Sequence, residues 1–167
     1  MRVQEVKITP LAEVTKEEFA PYGQIMGREE GKPYEDLPIA SYWTKNADLG
    51  PDNEKLDTGL IICRKVGRKV TMLERHPQTS ENFIPLVGEV IFVMAPADNS
   101  KALPDLANIR AFFLDGTLGV ALHKGTWHYP PIPMRESARL VLLRKGKLSD
   151  EEIKDLKDLD VKVKVVM

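Results

Sequence analysis

Hydrophobic and polar positions along this chain follow a period of two far more often than one of 3.6. Near the start, Val3, Val6 and Ile8 suggest a short strand. Thr15 and Glu18 then have capping-box spacing, with Thr15 placed to accept from an early helical N–H and Glu18 placed to reach back. Pro21 and Gly23 close that helix within about two turns. Glycines, prolines and charges make 27–38 and 46–57 read as loops. From residue 59 onward, short strands separated by turn signals take over, at 59–65, 69–76, 89–95, 108–114, 119–123 and 138–144. Within 69–76 the alternation puts Met72, Glu74 and His76 on one face, with Leu73 and Arg75 on the other. The run 89–95 is apolar throughout, as in a strand covered on both faces, and Asp115-Gly116 marks a tight turn. Near the C-terminus, Ser149 to Glu152 has capping-box spacing again. Ile153, Leu156 and Leu159 then predict a short amphipathic helix. Val161, Val163 and Val165 alternate with lysines as in an exposed edge strand.

Many short strands with regular turn signals and only peripheral helices predict a mainly β fold: a sandwich, jelly roll or barrel. A length of 167 residues predicts one domain, 1–167, with a substantial core. The formal net charge of -1 provides no field to recruit nucleic acid or an anionic membrane. No apolar run approaches the roughly 20 residues of a membrane span, and no secretory leader is visible, so the expected location is the cytoplasm. Cys63 is the single cysteine, which excludes a disulfide framework and fits a reducing compartment. Its apolar neighbours make it an inert buried thiol rather than a nucleophile.

Candidate chemistry concentrates in two stretches. The first, 73–89, contains Glu74, His76 and Glu81; the second, 122–130, contains His123 and His128, so both together hold all three histidines of the chain. Imidazole and carboxylate suit zinc, nickel, manganese or iron. Two such hairpins facing each other across a barrel mouth would form a small-ligand pocket, with Gly125 allowing a sharp bend between its histidines.

The order His76, Glu81, Gly88, then Gly119, Gly125 and His128 resembles the two-motif signature of the cupin superfamily. Glu74-x-His76 stands where that signature has a histidine pair, and His123 stands where it has a proline. The chain is more closely similar to the ureidoglycolate lyase family. The likeness lies in Leu73 to Pro77, Phe83 to Leu86, Gly88 to Val90, Arg110 to Phe112, Gly119-Val120, His123 and Trp127-His128-x-Pro130. In that family Gln tends to stand where this chain has Glu81.

This resemblance implies a cupin-type double-stranded β-helix (jelly-roll barrel) that works as a homodimer in allantoin and purine catabolism. The implied activity is that of a carbon–nitrogen lyase, cleaving ureidoglycolate to glyoxylate and urea. A divalent metal (nickel, zinc or manganese) is implied, with no organic cofactor. The ligand set that follows is His76, Glu81 and His128, with His123, Glu74 and His128 as the catalytic groups. Arg75 and Lys124 are the candidates to meet a substrate carboxylate, with Trp127 as a pocket wall. Two alternatives stand beside the lyase: a metal-binding cupin enzyme on another small hydroxy or keto acid, and a cupin that binds a small molecule without turnover.

Overall fold

The computed structural model describes residues 1–167. Its first half comprises β1 (Arg2–Pro10), α1 (Lys16–Phe19), β2 (Gly23–Met26), β3 (Glu35–Leu37), β4 (Ala40–Tyr42), β5 (Leu56–Arg64), β6 (Lys69–Val70), β7 (Met72–Arg75) and β8 (Thr79–Val87). The second half comprises β9 (Val90–Ala95), β10 (Arg110–Leu114), β11 (Gly119–Leu122), β12 (Trp127–His128), β13 (Ile132–Pro133), β14 (Ser137–Gly146), β15 (Glu152–Asp155) and β16 (Val161–Val166). The mainly β expectation holds. Thr15 caps α1 as its spacing predicts, accepting from the Glu18 N–H while the Glu18 carboxylate accepts from the Thr15 N–H.

The strands form two principal sheets. One runs β15-β7-β12-β9-β10-β1-β16-β6, with β13 also on β9; the other runs β2-β11-β8-β14-β5. Between them lies a core containing Phe19, Tyr22, Phe83, Phe92, Met94, Phe112, Val120 and Leu140. A second apolar cluster, including Val6, Leu73, Ile91, Val93, Trp127, Leu156 and Val163, covers the opposite face of the larger sheet. This explains why β9 is apolar throughout. Phe92 and Met94 point into one cluster, Ile91 and Val93 into the other, and no face is left for water.

Three expectations need correction. The segment after Ser149 is strand β15, antiparallel to β7 with Glu152 opposite Arg75 and Ile153 opposite Glu74. A vacant edge beside β7 offers backbone partners to the whole segment, which outweighs a capping box and a three-residue apolar stripe. β16 is not an edge, because it pairs with β1 in parallel and with β6 in antiparallel orientation. Its lysines face water while Val161, Val163 and Val165 are buried. The first expected loop, 27–38, contains β3, which forms a small hairpin with β4 just beyond it.

Two pairings bring the candidate stretches together. His128 of β12 lies opposite Glu74 of β7, and Leu122 of β11 lies opposite Glu81 of β8. Each sheet thus delivers ligand-type residues to the same end of the space between them. The core beneath makes that end rigid. Phe92, fully buried and edge-on to Phe83 at 4.7 Å between ring centroids, is its keystone. Phe92→Ala should destabilise the fold by about 3–5 kcal/mol. An unfolding free energy from urea titration within about 1 kcal/mol of wild type would contradict this packing.

Candidate metal centre

His76, Glu81 and His128 are buried, and their ligand atoms all lie within 4.8 Å of one another. Strand alternation explains why these three meet. On β8, Glu81 and Phe83 share the inward face, since their cross-strand partners Leu122 and Val120 point into the core. On β12, His128 faces inward with Met94, whereas Trp127 turns to the other side with Ala95. His76 follows β7 directly, on the face that Glu74 uses. Its carbonyl accepts from the Gly125 N–H at 2.9 Å, which ties the two stretches to each other. Gly125 is required there. Its φ is +91°, and a Cβ would sit 2.1 Å from the Asn99 amide oxygen.

The imidazoles are held so that both present Nε2. His128 Nδ1 is 3.0 Å from the Thr126 carbonyl, which only a donor can satisfy, so Nδ1 carries a proton. Its Nε2 lies 3.0 Å from Glu81 Oε2 and 3.5 Å from Glu74 Oε1. His76 Nε2 lies 3.5 Å from the same Glu81 Oε2. Phe83 and Phe92 flank the His128 ring edge-on at 6.0 and 5.8 Å, closing the site from below. Bordering it is a narrow void, with no room for a water molecule, lined by His76, Thr79, Glu81, Leu122, His123, Thr126 and His128.

Three donors around one point suit a divalent cation. Two ligands each about 2.1 Å from one ion stand about 3.0–3.4 Å apart, close to the 3.0 and 3.5 Å separations of Glu81 Oε2 from the two Nε2 atoms. Glu81 Oε2 is also buried without a hydrogen-bond donor aimed at it. Its 3.0 Å approach to His128 is therefore charge attraction rather than a formed hydrogen bond. An orphaned carboxylate oxygen between two Nε2 atoms is the arrangement a cation would satisfy.

The charges in the site are strongly interdependent. Burial opposes a charge on His128, but Glu74 and Glu81 outweigh it and raise the imidazole to about 10. Burial likewise works against the Glu74 carboxylate, yet His128 and Glu151 hold it below its ordinary value. Burial and the adjacent Glu74 charge raise Glu151.

The other predicted residues are engaged by other partners. His123 borders the void, but its ring Nε2 is 2.8 Å from the Ala20 carbonyl. Lys124 forms an ion pair with Glu54 at the rim. Arg75 turns away from the metal-ligand face. Its guanidinium donates to Glu152 at 2.6 Å and to the Lys101 carbonyl at 2.8 Å, and sits 4.6 Å over the Trp127 ring. Arg75 and Trp127 are thus brought to each other and not to the three ligands. Cys63 is buried, which pushes its thiol up to about 11, as expected of an inert group.

Sequence reasoning missed Asp150 and Glu151. They belong to a segment whose acidic run mimics a helix start, and only the pairing of β15 with β7 reveals that they back the site.

A two-sheet β barrel with a buried pair of imidazoles and a carboxylate at its mouth defines a class of metal-competent small-molecule enzyme folds. Comparison with known proteins narrows it. The family model described as ureidoglycolate lyase matches residues 4–166. The ureidoglycolate lyase of Burkholderia cepacia is 32% identical over 151 residues, 83% of this chain and 81% of that protein. That of Pseudomonas paraeruginosa is 30% identical over 140 residues, 80% and 79% of the two chains. Among solved structures, RmlC from Streptococcus suis overlaps with a TM-score of 0.42 and 11% identity, over 57% of this chain and 46% of that one, which adds no weight. The chain belongs to the ureidoglycolate lyase family.

The His128 charge makes stability depend on pH in chelator-stripped protein. Its folded value of about 10 lies above the ordinary 6.5, so the stabilisation is complete below about 6.5 and is lost as pH rises through about 10. The urea midpoint should fall across that window in wild type and fall less in His128→Gln. Parallel profiles for the two proteins would contradict the assignment.

Proposed function

We propose that this protein is a ureidoglycolate lyase, cleaving ureidoglycolate to glyoxylate and urea within allantoin breakdown. The family match along nearly the whole chain carries the choice of substrate. The His76–Glu81–His128 arrangement supports a metal-assisted route.

Ureidoglycolate carries a carboxylate and a hydroxyl on the carbon that also bears the urea nitrogen. In the proposed route His76 Nε2, Glu81 and His128 Nε2 hold a divalent cation, with nickel, zinc and manganese all compatible with such donors. When bound, that cation supplies Lewis-acid polarisation and lowers the pKa of the substrate hydroxyl. Glu74, beside His128 and only partly exposed, is the base that takes the hydroxyl proton. The C–N bond then breaks as the C–O bond becomes a carbonyl. The proton passes from Glu74 to the departing nitrogen, so the step consumes one ureidoglycolate and releases one glyoxylate and one urea.

In this reading Lys124, which pairs with Glu54, is the residue that meets the substrate carboxylate. Arg75 serves a structural role, clamped by Glu152 and stacked on Trp127, which forms a buried wall behind the site. His123 closes the side of the void, with its imidazole engaged by Ala20.

We also propose a homodimer. Leu60, Ile62, Ile84 and Leu86 project from the outer face of the smaller sheet and remain exposed, an apolar surface that a second copy would cover. A cytoplasmic location is supported by the lone cysteine. No helix is long and apolar enough to cross a membrane.

The metal-reconstituted protein should release glyoxylate from racemic ureidoglycolate. Glu74→Gln should reduce kcat by about 10²–10⁴-fold while leaving the fold and cation content intact. Absence of turnover in folded, metal-loaded wild type would remove the lyase reading. Unchanged kcat in Glu74→Gln would remove Glu74 as the base.

A further inference from the structure

Three consecutive acids of the C-terminal segment lie against Glu74 and Arg75 of β7 and His76 just after it. Glu152 pairs with Arg75 at 2.6 Å. Glu151 lies against Glu74, where each carboxyl group alters the other's affinity for a proton. Asp150 Oδ1 lies 3.5 Å from His76 Nδ1, and both side chains are nearly inaccessible to solvent. The antiparallel register of β15 on β7, continued past Glu152, sets Glu151 opposite His76 and Asp150 opposite Pro77, which brings the Asp150 side chain within reach of His76.

Asp150 is held from its far side. The Gln78 N–H donates to Oδ2, and the Thr79 hydroxyl donates to Oδ1 at 2.9 Å. The same Thr79 oxygen accepts from the Leu148 N–H at 3.0 Å. Leu148 adopts φ +68°, a conformation that turns the chain inward just before Asp150. A buried carboxylate with its other contacts fixed leaves one direction for its remaining charge, toward the Nδ1 edge of His76. Its separation of 3.5 Å is ion-pair distance rather than a formed hydrogen bond. Glu81 Oε2 stands at the same 3.5 Å from Nε2, but it lies nearer His128 Nε2 at 3.0 Å, so the Asp150 carboxylate favours a proton on Nδ1 of His76.

We propose that Asp150 is a positioning residue that holds His76 in its Nδ1–H tautomer, so that the Nε2 lone pair faces Glu81 and His128. This inference rests on the metal-centre reading of the three ligands. It gives His76 what the Thr126 carbonyl gives His128, a partner behind the ring. An outer partner of this kind orients the ring, raises ligand basicity, and is typically worth 10–100-fold in metal affinity. The two histidines are backed differently: a neutral carbonyl stands behind one and a full charge behind the other.

Two measurements on Asp150→Ala and Asp150→Asn test this. In chelator-stripped protein with His76 in its neutral form, nitrogen-15 NMR of the imidazole reports the tautomer. Wild type should be predominantly Nδ1–H, and both variants should shift toward Nε2–H with the other histidine signals unmoved. Calorimetric titration with Zn²⁺ should then show affinity about 10–100-fold weaker in the variants, with a thermal unfolding transition still present. A His76 tautomer unchanged in both variants would overturn the role of Asp150, whatever the affinity does. Wild-type protein that binds no Zn²⁺, Ni²⁺ or Mn²⁺ would instead remove the metal-centre reading, and the tautomer would still decide for or against Asp150.

Discussion

Two imidazoles and a carboxylate are withdrawn from water at one point, and the surrounding structure is arranged to make that withdrawal tolerable. Moving a charge into a protein interior costs several kcal/mol unless other groups compensate. Glu81 is 6% exposed, yet one of its oxygens has no hydrogen-bond donor directed at it. What compensates in the metal-free state is the His128 charge, supported by Glu74. The same atoms would satisfy a divalent cation, which would replace the proton on His128 Nε2. A cation bound there would therefore compete with that proton for the same buried carboxylate.

That competition explains the layering around the site. Below the ligands are Phe83 and Phe92, which exclude water and keep the charges strong. Behind His128 is the Thr126 carbonyl, and beside the Nδ1 edge of His76 is the Asp150 carboxylate at 3.5 Å. Arg75 belongs to the support rather than the chemistry, since its guanidinium joins β15, the loop at Lys101 and Trp127. The last strand pairing in this sheet, β15 on β7, therefore contributes to both stability and ligand geometry. A barrel closed without β15 would keep His76, Glu81 and His128 but lose Asp150 from beside His76.

The sequence conveyed the ligands better than their supports. Glu74 and His76 follow from a two-residue period on a strand, and His128 from the clustering of every histidine in two stretches. That pattern survives folding because strand alternation is local. Trp127 and Arg75 were read as pocket residues, but alternation places both on the opposite face, one position out of phase with His128 and Glu74. Asp150 could not be found this way. Asp150-Glu151-Glu152 resembles a helix start, and its true role depends on a strand pairing between residues 77 positions apart, such as Arg75 with Glu152. Local propensity is silent about such pairings. β16 shows the same limit: its lysine alternation describes one solvated face correctly but says nothing of neighbours on both sides.

The most direct test of the central claim is to locate a cation in the protein itself. Anomalous X-ray scattering from crystals grown with Zn²⁺ or Ni²⁺ should show one peak per chain, about 2.0–2.2 Å from His76 Nε2, His128 Nε2 and a Glu81 carboxylate oxygen. A peak bound by other residues, or none at saturating cation with these side chains ordered, would contradict it.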